Sequence, residues 1–123
     1  MYIVYHNPNS DFFHAKVEKY MDLFPVAIVP HATKSKAFEL TNHIDQAWHD
    51  NDDVVIIEKS RSTSVGDVLA TVEPGKGIVK AEIYAPCSFE DAPHLIPILK
   101  MKFKQAVRQD KVPYGYGLLD IGL

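Results

Sequence analysis

The apolar positions between Ala37 and Trp48 fall at helical intervals: Ala37, Leu40, Thr41, Ile44, Ala47 and Trp48 share one arc, the spacing by which a helix buries a stripe. The pattern predicts one helix running through Trp48. Ser35 is its expected N-cap, with Thr33 as second choice, and Asp50-Asn51-Asp52-Asp53 stops it. Beside the buried stripe, Phe38, Asn42, Asp45 and His49 are spaced to stack along one side of the same helix. The unbroken β-branched run Val54-Val55-Ile56-Ile57 then predicts a central strand covered on both faces. Arg61-Ser62-Thr63-Ser64-Val65-Gly66-Asp67 follows as an ordered turn, rich in hydroxyls that bond nearby backbone.

The flanking segments fill in a sheet. Tyr2-Ile3-Val4-Tyr5 reads as a first strand, ended by the turn formers Asn7-Pro8-Asn9-Ser10. Phe13, Val17, Tyr20 and Phe24 recur at helical spacing, with Ser10 as cap and Pro25 as terminator, and Val26-Ala27-Ile28-Val29 reads as a strand beside the first. A hairpin is expected from residues 68–72 and 78–84, with Pro74 and Gly75 at the centre of a type II turn. In its second strand Val79, Ala81 and Ile83 form the apolar side, and Lys80, Glu82 and Tyr84 the side that tolerates water. After a loop punctuated by Pro86, Pro93 and Pro97, Leu99, Phe103, Ala106 and Val107 mark a buried helix face. The expected fold is a single α+β domain over residues 1–123, a small and mostly antiparallel sheet with about three helices packed on it.

Composition narrows the function classes. Hydrophobic residues at 46% and charged residues at 24% suit a soluble globular chain, and the net charge of -3 argues against a general nucleic-acid binder, which needs clustered cations. Cys87 is the only cysteine, so no intramolecular disulfide can form and a reducing compartment is expected. The N-terminal residues have no basic-then-apolar leader pattern, and no run of about 18 apolar residues is present, so neither export nor a membrane partner is expected.

Three clusters carry candidate chemistry. Asp45 and His49, four residues apart on a helix, can aim a carboxylate and an imidazole at one metal ion, although such pairs are common on solvated helix faces. His6, His14, His31 and His94 are scattered and support no site. Arg61 with the hydroxyls of Ser62, Thr63 and Ser64 can hold an anion, and the plainer reading pairs Arg61 with Asp67 or Asp45. Lys100, Lys104, Arg108 and Lys111 form a file along the last helix that can follow a phosphate backbone, with Tyr114 and Tyr116 available for stacking on bases; the plainer reading is a solvated face. Ser62, Ser64 and Cys87 lack the flanking motifs that activate a nucleophile.

Ala37-Phe38-Glu39-Leu40-Thr41-Asn42-His43-Ile44-Asp45, then Trp48, then Arg61-Ser62-Thr63-Ser64-Val65-Gly66-Asp67-Val68 resembles small uncharacterised proteins encoded by bacteriophages and other mobile elements. The resemblance implies an accessory protein acting in the cytoplasm of a bacterial host. The reading that combines it with the residues is a non-enzymatic binding protein. It docks on a host or phage protein through Phe38, Asn42, Asp45, His49, Arg61, Ser62 and Ser64, and needs no cofactor. The alternatives are a nucleic-acid binder using the basic helix, and a metal-dependent hydrolase at Asp45 and His49. Leu118, Leu119, Ile121 and Leu123 make the C-terminal segment apolar enough to pack on its own domain or on a second copy.

Overall fold

Among the described residues six strands form in the computed structural model: β1 (Tyr2–His6), β2 (Phe24–Val29), β3 (Val55–Ile56), β4 (Val68–Glu73), β5 (Gly77–Tyr84) and β6 (Phe89–Asp91). The structure describes residues 1–8, 17–30, 33–42, 47–73, 75–86, 88–113 and 115–116. The strands form one sheet in the order β3-β2-β1-β4-β5-β6, and every pairing is antiparallel. The described residues hold two α-helices, α1 (Lys34–Leu40) and α2 (Ile96–Arg108), so the α+β class stands and the expected third helix does not. Short 3-10 segments at Val17–Asp22, Trp48–Asp50 and Pro93–Leu95 complete the described elements.

Strand alternation divides the core in two. Ile3, Tyr5, Ile28, Val68, Ala70 and Ala81 join Leu99, Phe103 and Ala106 of α2, while Val4, Ala27, Val29 and Leu69 join Ala37 of α1 and Trp48. Removing a leucine or phenylalanine of this kind from water contributes about 1.5–3 kcal/mol each. The Tyr5 hydroxyl donates to Leu99 O at 2.9 Å, so the one polar atom this ring takes inside has a partner.

Four local expectations are corrected. The helix that was to run through Trp48 ends at Leu40, and its N-cap is Thr33, whose Oγ1 accepts from Lys36 N, rather than Ser35. The Val54–Ile57 run is not central: only Val55–Ile56 pair, with β2, at an edge of the sheet. Its outer members, Val54 and Ile57, are the buried ones. Of the helix expected after Ser10, residues 11–16 lie outside the described residues, Val17–Asp22 is 3-10, and Phe24 and Pro25 begin β2. Pro25 is tolerated there because it faces a register shift between Val4 and Tyr5, where the ladder needs no donor from it.

The fourth correction concerns the hairpin, whose strands are as expected but whose water-tolerant side is not. Thr71 pairs with Lys80 and Val72 with Ile78, so Val79 is the extra residue of a bulge and is exposed, while Ile78 enters the core. On the other side Glu82 and Tyr84 are buried, next to Lys34 and Phe38 of α1. Gly75 takes a φ of 78°, as the second central position of a type II turn requires. Pro74 and the apolar segment 117–123 lie outside the described residues. Among the described residues no helix is long and apolar enough to cross a membrane.

Candidate functional site

α1 stops where side chains take the carbonyls that another helical turn would use. Thr41 Oγ1 donates to Ala37 O at 2.8 Å, Asn42 Nδ2 donates to Phe38 O, and Asn51 Nδ2 donates to Leu40 O at 2.9 Å. Thr41 O in turn accepts from Thr63 N at 2.9 Å, which brings the Arg61 turn against the end of α1. The four residues expected in one helical file are therefore not stacked on one helix. Phe38 is on α1, Asn42 just beyond it, and His49 on the separate Trp48–Asp50 segment, with its Nδ1 3.6 Å from Asp50 Oδ1. Asp45 lies outside the described residues.

The Arg61 turn is built around the fully buried Asp67. Its Oδ1 accepts from Asn7 N and Arg61 Nη2, both at 2.8 Å, and its Oδ2 accepts from Arg61 Nη1 at 2.7 Å and Ser64 N at 2.8 Å. This is the paired arrangement of Arg61 that the sequence offered as the plainer reading. Arg61 also donates to Ser62 O, to Ser64 Oγ and to Asn7 O, so its donors close the turn on itself and on the end of β1. The hydrogen bonds to Asp67 raise the Arg61 pKa above its ordinary value, with desolvation opposing and the Asp67 charge adding to the rise.

His6, set aside in the sequence, is joined to this network. Its Nδ1 lies 3.0 Å from Ser60 Oγ and its Nε2 lies 2.9 Å from Thr63 Oγ1. Thr63 Oγ1 donates to Thr41 Oγ1 at 2.7 Å and Thr41 passes its own proton to Ala37 O. Thr63 must therefore accept from His6, which puts the imidazole proton on Nε2 and leaves Nδ1 to accept from Ser60. Burial pushes the His6 pKa down to about 4; the Asp67 carboxylate, with an oxygen 3.8 Å away, opposes the fall, and Arg61 adds to it. Beneath the turn, Trp48 Nε1 donates to both Ser60 O and Arg61 O, at 2.8 and 2.9 Å.

The opposite margin of the turn meets β5. Gly66 N donates to Tyr84 O and Tyr84 N to Asp67 O, both at 2.9 Å. Tyr84 packs against Phe38 and Phe89, with ring centroids 4.7 and 4.8 Å apart and tilts of 59° and 50°. These three rings, with Ser35 and Ser88, line an open pocket of about 260 Å³. Burial raises the Tyr84 hydroxyl pKa, and the carboxylates of Asp67 and Glu82 add to the rise. Lys34 Nζ sits 5.2 Å from the centre of Phe89 and 2.9 Å from Glu82 Oε2, and that hydrogen bond holds its pKa above the usual lysine value.

The structure thus brings Phe38, Asn42, Arg61, Ser62 and Ser64 to one margin of the sheet, and adds His6, Thr41, Thr63, Tyr84 and Phe89. His6 meets Ser60 and Thr63 across 54 and 57 residues of chain, a separation that carries no periodic signal in the sequence. Strand alternation put Tyr84 beside Glu82 on one side of β5, and the structure buries both. Of the basic file, Lys100 and Lys104 are half-buried, Arg108 is exposed, and Lys111 Nζ lies 3.5 Å from Glu58 Oε2. Tyr116 packs against the α2-side core, and Tyr114 lies outside the described residues. Among the described residues no group of three or more His, Cys, Asp or Glu side chains is placed to hold a metal ion. Comparison with protein-family models, with curated proteins and with solved structures gave no match.

Proposed function

We propose that the chain is a small non-enzymatic binding protein, of the phage-type accessory kind implied by the resemblance of Ala37 to Leu69, which docks on a host or phage protein where α1 meets β5 and β6. The observation that carries the reading is the open pocket walled by Phe38, Tyr84 and Phe89. Phe38 and Phe89 are half-buried rings held at fixed tilts, and an aromatic side chain anchored on one face and open on the other suits the centre of an interface. Ser35 and Ser88 add hydroxyls that fix the direction of a contact.

The Arg61 network supports this reading as the frame of the surface. Its carboxylate and imidazole are buried and their hydrogen bonds run to neighbouring residues of the chain, an arrangement that rigidifies a loop. Asn42 contributes by its bond to the carbonyl of Phe38. The test is capture from nuclease-treated bacterial lysate by the wild-type chain, Phe38→Ala and Phe89→Ala. A partner held by the wild type should be lost about tenfold or more with each variant, the loss expected for a central aromatic anchor, while thermal unfolding remains cooperative. Undiminished capture by both variants would remove the pocket from the binding surface.

A further inference from the structure

The sequence is acidic overall, yet one segment carries a local excess of positive charge. Residues 96–111 contain Lys100, Lys102, Lys104, Arg108 and Lys111 with Asp110 as their only acid, a net +4 against -7 for the rest of the chain. Lys111 is held by Glu58. Lys100, Lys102, Lys104 and Arg108 of this helix have no ion-pair partner among the described residues, in contrast to Lys34, Lys36, Lys76 and Lys80, each of which lies within 4.0 Å of a carboxylate. At 1.5 Å per residue, Lys100, Lys104 and Arg108, four residues apart and so on one side of the helix, follow one another at steps of about 6 Å along α2, with Lys102 off that row. Lys100 and Lys104 are half-buried and Arg108 is exposed.

We infer that this row on α2 is a docking surface for the phosphate backbone of duplex nucleic acid, separate from the aromatic pocket. Three features select that occupant among polyanions. A lipid surface would need an apolar stripe to insert, and the stripe of α2, Leu99, Phe103 and Ala106, is buried against the sheet. An acidic protein would need an apolar centre to its interface, and the exposed side of α2 offers Met101 alone as a large exposed hydrophobic residue. Regularly repeated phosphates need neither, and pair with a row of cations without reading bases. Tyr116 is packed against the core, so the single-strand mode that stacks bases on it is disfavoured relative to a duplex.

The experiment is fluorescence anisotropy of a short labelled DNA duplex titrated with the full chain across a salt series. Three phosphate contacts set an expected slope of about -2.7 in log K against log salt. Replacing Lys100, Lys104 and Arg108 together by Gln should weaken binding at low salt by about tenfold or more and flatten the slope towards zero. The double variant Lys36→Gln/Lys76→Gln, which removes two cations elsewhere, should leave both unchanged. Circular dichroism of each variant establishes that it is folded, and single Gln variants at the three positions supply the slope change, about one unit each, should the triple variant not fold. No binding at low salt, an equal loss in the double variant, or competition by polyglutamate as strong as by unlabelled duplex at equal charge would each overturn the inference.

Discussion

His6 ends β1 with both ring nitrogens bonded to hydroxyls, and burial decides its charge. The folded chain keeps the ring neutral down to about pH 4, because burial disfavours the imidazolium, whereas the unfolded chain protonates it near 6.5. As pH falls between those values the unfolded state takes up a proton that the folded state refuses, so stability falls and then levels off below the folded value. The shift corresponds to a loss of roughly 3 kcal/mol from this group. His6→Gln, which retains hydrogen-bonding groups and does not titrate, should show a shallower acid limb in urea midpoints followed from neutral pH downward. Equal acid losses in the two proteins would assign the titration to other groups. Asp67 is the other residue of this kind, since four donors converge on its two oxygens and none of it is exposed.

At the scale of the element, the turn from Ser60 to Asp67 is ordered by a carboxylate rather than by a regular ladder. Removing Asp67 orphans two backbone N–H groups and a guanidinium, while removing Arg61 leaves Asp67 with its two backbone donors and opens it to water beside a side chain that is itself 42% exposed. Asp67→Ala should therefore cost about 3–5 kcal/mol and Arg61→Ala clearly less, roughly 1–3 kcal/mol. Urea unfolding of both variants measures the order, and the reverse ranking would mean that the guanidinium is the organising group. The pairing of Arg61 with Asp67 was legible, because the two lie six residues apart across a hydroxyl-rich turn. The end of α1 was not: Ile44, Ala47 and Trp48 continue a helical period past Leu40, and nothing local says that Thr41, Asn42 and Asn51 will take its carbonyls. Periodicity reports which side chains seek burial, and Trp48 is buried as expected, but from a 3-10 segment.

For the whole molecule, the pattern of strands and the α2 face were readable because hairpin turns and helical stripes are short-range signals, as in residues 68–84 and Leu99, Phe103 and Ala106. The pairing of β1 with β4 and the joining of His6 to Ser60 and Thr63 depend on contacts more than 50 residues apart, for which one sequence has no local marker. Among the described residues the two faces are also covered unequally, one by the thirteen-residue α2 and the other by the seven-residue α1 and the Trp48 segment. Trp48 is the only tryptophan of the chain, buried on the α1 face and tied through its indole N–H to the Arg61 turn. Its fluorescence is therefore a private reporter of that face. With local opening easiest where few packed residues cover the sheet, the emission should move to the red at lower urea than the far-ultraviolet dichroism of the sheet and α2 is lost. Superimposable curves would make the chain a single cooperative unit. Because the aromatic pocket shares that face and the cationic row does not, the same indole signal would sense a ligand in the first and stay silent to one on the second.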